Sequence, residues 1–185
     1  MQTKYKYILG GMASFFVIAY LLSKRNKDGG VTSSAPVSDS LSEAKIKTLH
    51  PKVRDKAREF LNKAEKQGIK LRIVSAYRTY AEQDALYAQG RTKAGSIVTK
   101  AKAGQSSHNF GTAIDVAPLE NGKLNWKGDW KKIATIGKSV GFEWGGDWKT
   151  FKDQPHFQMN FGKSLAELRS RYESGKKENG YVILT

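Results

Sequence analysis

The chain contains no cysteine. That excludes disulfides, a cysteine-ligated metal site and a lipid-bearing cysteine, and it leaves the redox compartment open. Histidine is almost as scarce, with three in 185 residues. Acidic residues are few: 17 Asp and Glu stand against 32 Lys and Arg, a formal net charge of +15. Such an excess suits an anionic partner, whether nucleic acid, anionic lipid or a polymer rich in carboxylates and phosphates. It equally suits a solvated, lysine-rich surface, so charge alone does not choose. There is no internal repeat and no nucleotide-binding glycine loop. No nucleic-acid-binding motif accompanies the positive charge, so nucleic acid is not an expected partner.

Long apolar runs are also lacking, with one partial exception. Tyr7 to Leu22 carries no charge, with Lys4 and Lys6 before it and Lys24, Arg25 and Lys27 after it. As a helix it would span roughly 24 Å, short of a ~30 Å hydrocarbon core. Flanking lysines can snorkel, and Tyr5, Tyr7 and Tyr20 suit the interface, so an uncleaved membrane helix is expected. A signal peptide is the competing reading, with Ser33-Ser34-Ala35 as the nearest small-residue site. The expected organisation is an N-terminal anchor (or signal peptide) over residues 1–25, a linker over 26–40 and one domain over 41–185. The linker is rich in Gly, Ser and Pro and would reach roughly 20 Å.

Within the domain, Val53, Ala57, Phe60, Leu61 and Ala64 recur at helical spacing, and Pro51 suits a first helical turn. Ile69, Leu71 and Ile73 alternate like a strand that delivers Ser75 and Arg78 to its end. Thr79 to Glu82 reads as a capping box opening a short helix to Gln89. The loop from Arg91 to Gln105 is polar and either lines a groove or simply connects. Gly111 to Ala117 alternates like a second strand, and Asn121-Gly122 looks like a hairpin turn. Asp129 caps a further helix, Ser164 to Glu167 is another capping box, and Tyr181 to Leu184 reads as an edge strand. Helices and strands alternate without regular β-α-β repetition, which implies an α+β fold.

Two clusters concentrate the chemistry. Ser106 to Asp115 puts His108 and Asp115 seven positions apart, and Asp153-Gln154-Pro155-His156 supplies one more of each type. Two histidines plus one carboxylate is a common shell for catalytic zinc, and the other carboxylate is then free for proton transfer. Spacing of this kind is much less diagnostic than His-Glu-x-x-His, and each residue taken alone is more often structural. His50 has no carboxylate motif beside it and reads as non-functional. Arg78, at a strand-to-helix junction, is either functional or a surface ion-pair partner. Glu143 and Trp144 lie in the glycine- and tryptophan-rich segment Phe142 to Trp148. There Trp144 walls a cleft or joins the core, and Glu143 orients a ligand or a substrate amine.

The ordered motifs Ser75-Ala-Tyr-Arg78, Glu82-Gln83, Leu86 to Arg91, Ser106-x-His108-x-x-Gly111-x-Ala113-x-Asp115, Phe142 to Trp148 and Asp153-x-x-His156 resemble one family. It is that of the zinc peptidases of bacterial cell walls. These include VanY-type D-alanyl-D-alanine carboxypeptidases and the L-alanyl-D-glutamate endopeptidases of phage endolysins and bacilli. The likeness runs from about Val74 to Met159. It implies one zinc ion held by His108, Asp115 and His156, with Asp153 as catalytic acid/base and Arg78 on the substrate or oxyanion. Gln83, Ser106, Glu143 and Trp144 complete the expected substrate-binding set. Some members carry Glu where this chain has Asp153.

The resemblance also implies a compact antiparallel sheet with flanking helices, shared with the hedgehog signalling domain. The expected function is hydrolysis of peptidoglycan stem peptides, foremost at the L-alanyl-D-glutamate bond. The alternatives are a D-alanyl-D-alanine carboxypeptidase and a non-catalytic zinc-stabilised wall-binding module. The anchor would hold the catalytic domain at a membrane on its extracytoplasmic side, or on a virion membrane if the chain is phage-encoded. The sequence does not specify an oligomeric state.

Overall fold

The computed structural model describes residues 39–185. The expected anchor and most of the linker lie outside the described residues. Among the described residues, no helix is long and apolar enough to cross a membrane.

Two helices open the domain. Helix α1 (Ser40–Thr48) starts where the Asp39 carboxylate accepts a bond from the Ser42 amide at 2.9 Å. Helix α2 (Pro51–Lys66) starts at His50, whose Nδ1 accepts from the Lys52 amide at 3.2 Å. Pro51 occupies the first turn, where its missing N–H costs nothing. His50 Nε2 donates to the Val182 carbonyl at 3.0 Å, so both ring nitrogens serve the structure. The apolar face of α2 buries Val53, Ala57, Phe60, Leu61 and Ala64.

The sheet follows. Strand β1 (Leu71–Ser75) pairs antiparallel with β2 (Ala113–Glu120), and β2 also pairs antiparallel with the short β3 (Lys123–Leu124). Strand β4 (Glu143–Trp144) and strand β5 (His156–Gln158) extend it, giving the order β1-β2-β5-β4. The strand expected from Ile69 begins two residues later. Gly68 adopts φ +78° and the Ile69 amide donates back to the Ala64 carbonyl at 2.9 Å, so Ile69 still belongs to the end of α2. That is the left-handed glycine cap that commonly terminates a helix.

Helix α3 (Tyr80–Ala88) has the capping box expected of Thr79 and Glu82. Helix α4 (Trp130–Ser139) is capped by Asp129, and α5 (Leu165–Glu173) by the Ser164–Glu167 box. The main core lies between α1, α2 and α4 and one face of the sheet, and includes Ile46, Phe60, Ile73, Ile114, Val116, Ile133 and Phe157. The tail is a hairpin, β6 (Lys177–Glu178) with β7 (Tyr181–Val182), turning at Asn179-Gly180. It folds back because Val182 and Leu184 bury against Phe110 and Leu168 in a second cluster. The architecture is α+β with a small antiparallel sheet and flanking helices.

Candidate metal centre

Sheet register builds the site. Asp115 on β2 lies directly opposite His156 on β5, and Ser75 on β1 lies opposite Asp115 from the other side. Paired residues project to the same face, so the pairing brings the Asp115 and His156 side chains together. His108 reaches the pair from a 3-10 turn, Ser107–Phe110, that ends at Gly111 in the left-handed region (φ +68°). A side chain at Gly111 would also strike the His50 amide nitrogen at 2.7 Å, so the turn packs directly on the α1–α2 joint.

His108 Nε2 and His156 Nδ1 each lie 3.3 Å from Asp115 Oδ1. The ligand atoms of the three residues all fall within 4.8 Å of one another, and all three residues are buried. Two ligands each ~2.0–2.1 Å from a tetrahedral zinc are about 3.3 Å apart, so the spacing suits a common ion. The outer nitrogens are fixed as well. His108 Nδ1 donates to the Ala76 carbonyl at 2.6 Å, and His156 Nε2 donates to Gln158 Oε1 at 3.1 Å. Each bond selects the tautomer whose lone pair points inward, as in most histidine metal sites. Donor type, spacing and tautomer thus fit a divalent metal.

The charges of the protein's own groups are set accordingly. Burial disfavours charge on Asp115, but His108 and His156 outweigh it and hold the carboxyl well below its ordinary range. Burial lowers His108, aided by the nearby Arg78 guanidinium. His156 goes the other way: burial would lower it, but its bond to Asp115 and the charges of Asp115 and Asp153 raise it. For Asp153, burial first and the Asp115 charge second push the carboxyl up to about 6.

These groups line a cleft of about 430 Å³ that also includes Arg78, Lys100, Ser106, Trp148, Phe151 and Gln158. Asp153 sits on a turn held by two main-chain bonds, its amide to the Gly145 carbonyl at 3.1 Å and its carbonyl from the His156 amide at 3.3 Å. A side chain at Gly145 would meet the Asp153 carbonyl oxygen at 2.6 Å. The glycine therefore permits the close approach that sets the turn beside His156. Arg78 donates to Gln83 Oε1 at 2.9 Å and to Ser75 Oγ at 3.2 Å.

Three expected positions differ. Gln83 does not line the cleft; it is fully buried behind Arg78 and donates onward to the Ala101 carbonyl at 2.7 Å. Trp144 pairs with Phe157 across β4 and β5, which puts it in register with a core residue rather than with His156. It packs on the main core and donates its indole N–H to the Gln154 carbonyl at 2.7 Å. Glu143 does not line the cleft; it pairs with Gln158 and accepts from that residue's side-chain amide at 2.9 Å. The cleft tryptophan is Trp148, whose ring lies 5.0 Å from that of His156. Gln158 is not among the residues expected from the sequence, although it joins Glu143, Ser107 and His156 in one chain of bonds. Its signal was available: two residues after His156 on a strand, it shares that residue's face.

Comparison with known proteins finds relatives over the stretch that carries these residues. A family model described as D-alanyl-D-alanine carboxypeptidase matches residues 99–159, the stretch that holds all three candidate ligands. The chain is 46% identical over 122 residues to the peptidoglycan L-alanyl-D-glutamate endopeptidase CwlK of Bacillus subtilis (strain 168), covering 60% of this chain and 73% of CwlK. It is 34% identical over 128 residues to the L-alanyl-D-glutamate peptidase of Listeria phage A118, covering 66% of this chain but 42% of the phage protein. Among solved structures, the LdcB LD-carboxypeptidase shares the fold, with a TM-score of 0.53 at 22% identity over 78% of this chain and 75% of LdcB. With nearly half its aligned residues identical across almost three-quarters of CwlK, the chain belongs to the M15 peptidase family.

Proposed function

We propose that the protein is a zinc-dependent peptidoglycan peptidase that cleaves the L-alanyl-D-glutamate bond of stem peptides. The observation that carries the choice of bond is the 46% identity to CwlK. His108, Asp115 and His156 would hold the ion. Zinc bound there supplies Lewis acidity, polarising a carbonyl and lowering the pKa of water. Asp153 takes a proton from the attacking water and returns it to the leaving amine. Arg78, aimed by Gln83 and Ser75, offers a fixed positive charge to the oxyanion that develops on the scissile carbonyl. Ser106 in the cleft lining and Trp148 against His156 form contact surface for the peptide.

A D-alanyl-D-alanine carboxypeptidase is the second reading, favoured by the description of the matching family model. Mass spectrometry of peptidoglycan digested with the protein separates the two. New peptides with an N-terminal D-glutamate are expected. Released D-alanine would transfer the assignment to the carboxypeptidase, and the absence of any product would leave a wall-binding module.

The organisation of the chain follows from such a substrate. Residues 1–25 would anchor the protein in a membrane, 26–40 would tether it, and 41–185 would act on the wall outside the cytoplasm. The uncharged stretch Tyr7 to Leu22 supports this. Full-length protein expressed in bacteria is expected in the membrane fraction, released by detergent and not by high salt. Recovery of a soluble chain beginning near Pro36 would establish a signal peptide instead.

A further inference from the structure

One cleft side chain has no part in the chemistry above. Lys100 lines the same cavity as the three candidate ligands. Apart from the histidines, the cationic groups on that wall are Arg78 and Lys100. Arg78 is engaged through two of its nitrogens with Gln83 and Ser75. Lys100 makes no ion pair among the described residues. Its Nζ stands over the Phe151 ring, 5.2 Å from the centroid, and both residues line the cleft.

The main chain on both sides of Lys100 is pinned. Arg91 donates to the Thr99 carbonyl at 3.0 Å, and Gln83 donates to the Ala101 carbonyl at 2.7 Å. Arg91 is itself stacked on Tyr87, with its guanidinium carbon 3.9 Å from the ring centroid. Through Gln83 the same buried amide aims Arg78 and anchors the segment that carries Lys100. The result is an ammonium held over an aromatic face, in a cleft, with no ion-pair partner among the described residues, the cleft carboxylates Asp115 and Asp153 being turned to the histidine cluster. A cation so placed is a receptor for a ligand carboxylate, and Lys serves as a compact point charge.

The substrate supplies one. A glutamate residue within a peptide uses one of its two carboxyl groups for the next bond and leaves the other free. In an L-alanyl-D-glutamate substrate the scissile nitrogen belongs to that same residue. The free carboxylate is then a few bonds from the reacting centre and must enter the cleft with it. Resting on the L-alanyl-D-glutamate reading, we propose that Lys100 binds the free carboxylate of the D-glutamate residue and sets a preference for the acid over its carboxamide.

The test uses two synthetic stem peptides that differ only in that group, one with the free carboxylate and one with a carboxamide. Each is assayed with zinc-loaded full-length wild type, Lys100→Met and Lys100→Arg. Wild type is expected to favour the acid by about tenfold in kcat/KM, the lower end of a charge-assisted hydrogen bond. In Lys100→Met, kcat/KM should fall about tenfold on the acid, mainly through KM, and stay within about twofold on the amide. Lys100→Arg should keep the preference. A wild type that cuts both peptides equally well overturns the assignment. So does a Lys100→Met protein that keeps the wild-type ratio or loses equally on both. If wild type cuts neither peptide but releases D-alanine from whole wall, the bond assignment falls, and this inference falls with it.

Discussion

Asp153→Asn is expected to lower turnover of the L-alanyl-D-glutamate bond by ~10²–10⁴-fold, the usual contribution of a positioned acid/base. Metal content and fold should survive. The three residues whose ligand atoms converge are His108, Asp115 and His156, and Asp153 is not among them. Its turn is held by main-chain bonds to Gly145 and His156, which an asparagine keeps. The substitution changes little but the ability to accept and return a proton. Burial and the Asp115 charge push the Asp153 carboxyl up to about 6, which marks it as a group set apart from an ordinary surface carboxylate. The competing role is that of a metal ligand, since carboxylates also bind zinc. Asp115→Asn provides the contrast, because it should weaken zinc itself and recover part of its activity in excess metal. Zinc stoichiometry and muropeptide turnover, measured on both variants, decide between the roles. An Asp153→Asn protein that loses its metal, or that keeps near-normal turnover, would reverse the assignment.

Local signals explain why much of the fold could be read from the sequence. The capping boxes at Thr79 and Ser164, the Asp129 cap and the Asn121-Gly122 turn each depend on a few adjacent residues. Such interactions are set within one turn of chain and need no tertiary information. The division between α1 and α2 was marked by Pro51, although the cap itself falls to His50, a residue rarely read as one. The tail was less legible. Tyr181 and Val182 form a strand only because Lys177 and Glu178 pair with them and because Phe110 and Leu168, far away in sequence, bury Val182.

The site divides along the same line. His108, Asp115 and His156 stood out because histidine is scarce and because their motifs match a family in order. The supporting residues did not, since they are fixed by register between strands. Whether Trp144 faces the core or the cleft depends on its pairing with Phe157, and that pairing is absent from any local pattern. A slip of one residue would exchange the two faces. Gln83, expected among the substrate-binding residues, is displaced for a related reason. A polar residue on a short helix reads as exposed, and only the docked 91–105 loop and Arg78 turn it into a buried hub.

Removing the metal should affect stability as well as activity. The two imidazoles and the carboxylate are buried together, with His108 Nδ1 and His156 Nε2 each bonded outward. Those outward bonds set the inward lone pairs before any ion arrives, so little rearrangement is required on binding. An ion that binds the folded chain and not the unfolded one stabilises it by about 2.7 kcal/mol at a hundred times Kd and about 4.1 kcal/mol at a thousand times Kd. For a domain of this size each kcal/mol moves Tm by roughly 2–4 °C. Zinc-loaded protein is therefore expected to melt roughly 5–16 °C above the chelated form, within that range of couplings. Chelation should abolish turnover, and added zinc should restore both properties. In the His108→Ala/His156→Ala protein, elemental analysis should find the metal gone and the melting temperature should no longer respond to zinc. The second readout matters, because a variant can lose activity for many reasons but loses a zinc-dependent Tm only with the site. Wild-type zinc content in the double variant, or a wild-type Tm indifferent to chelation, would mean that these three residues do not form the metal centre.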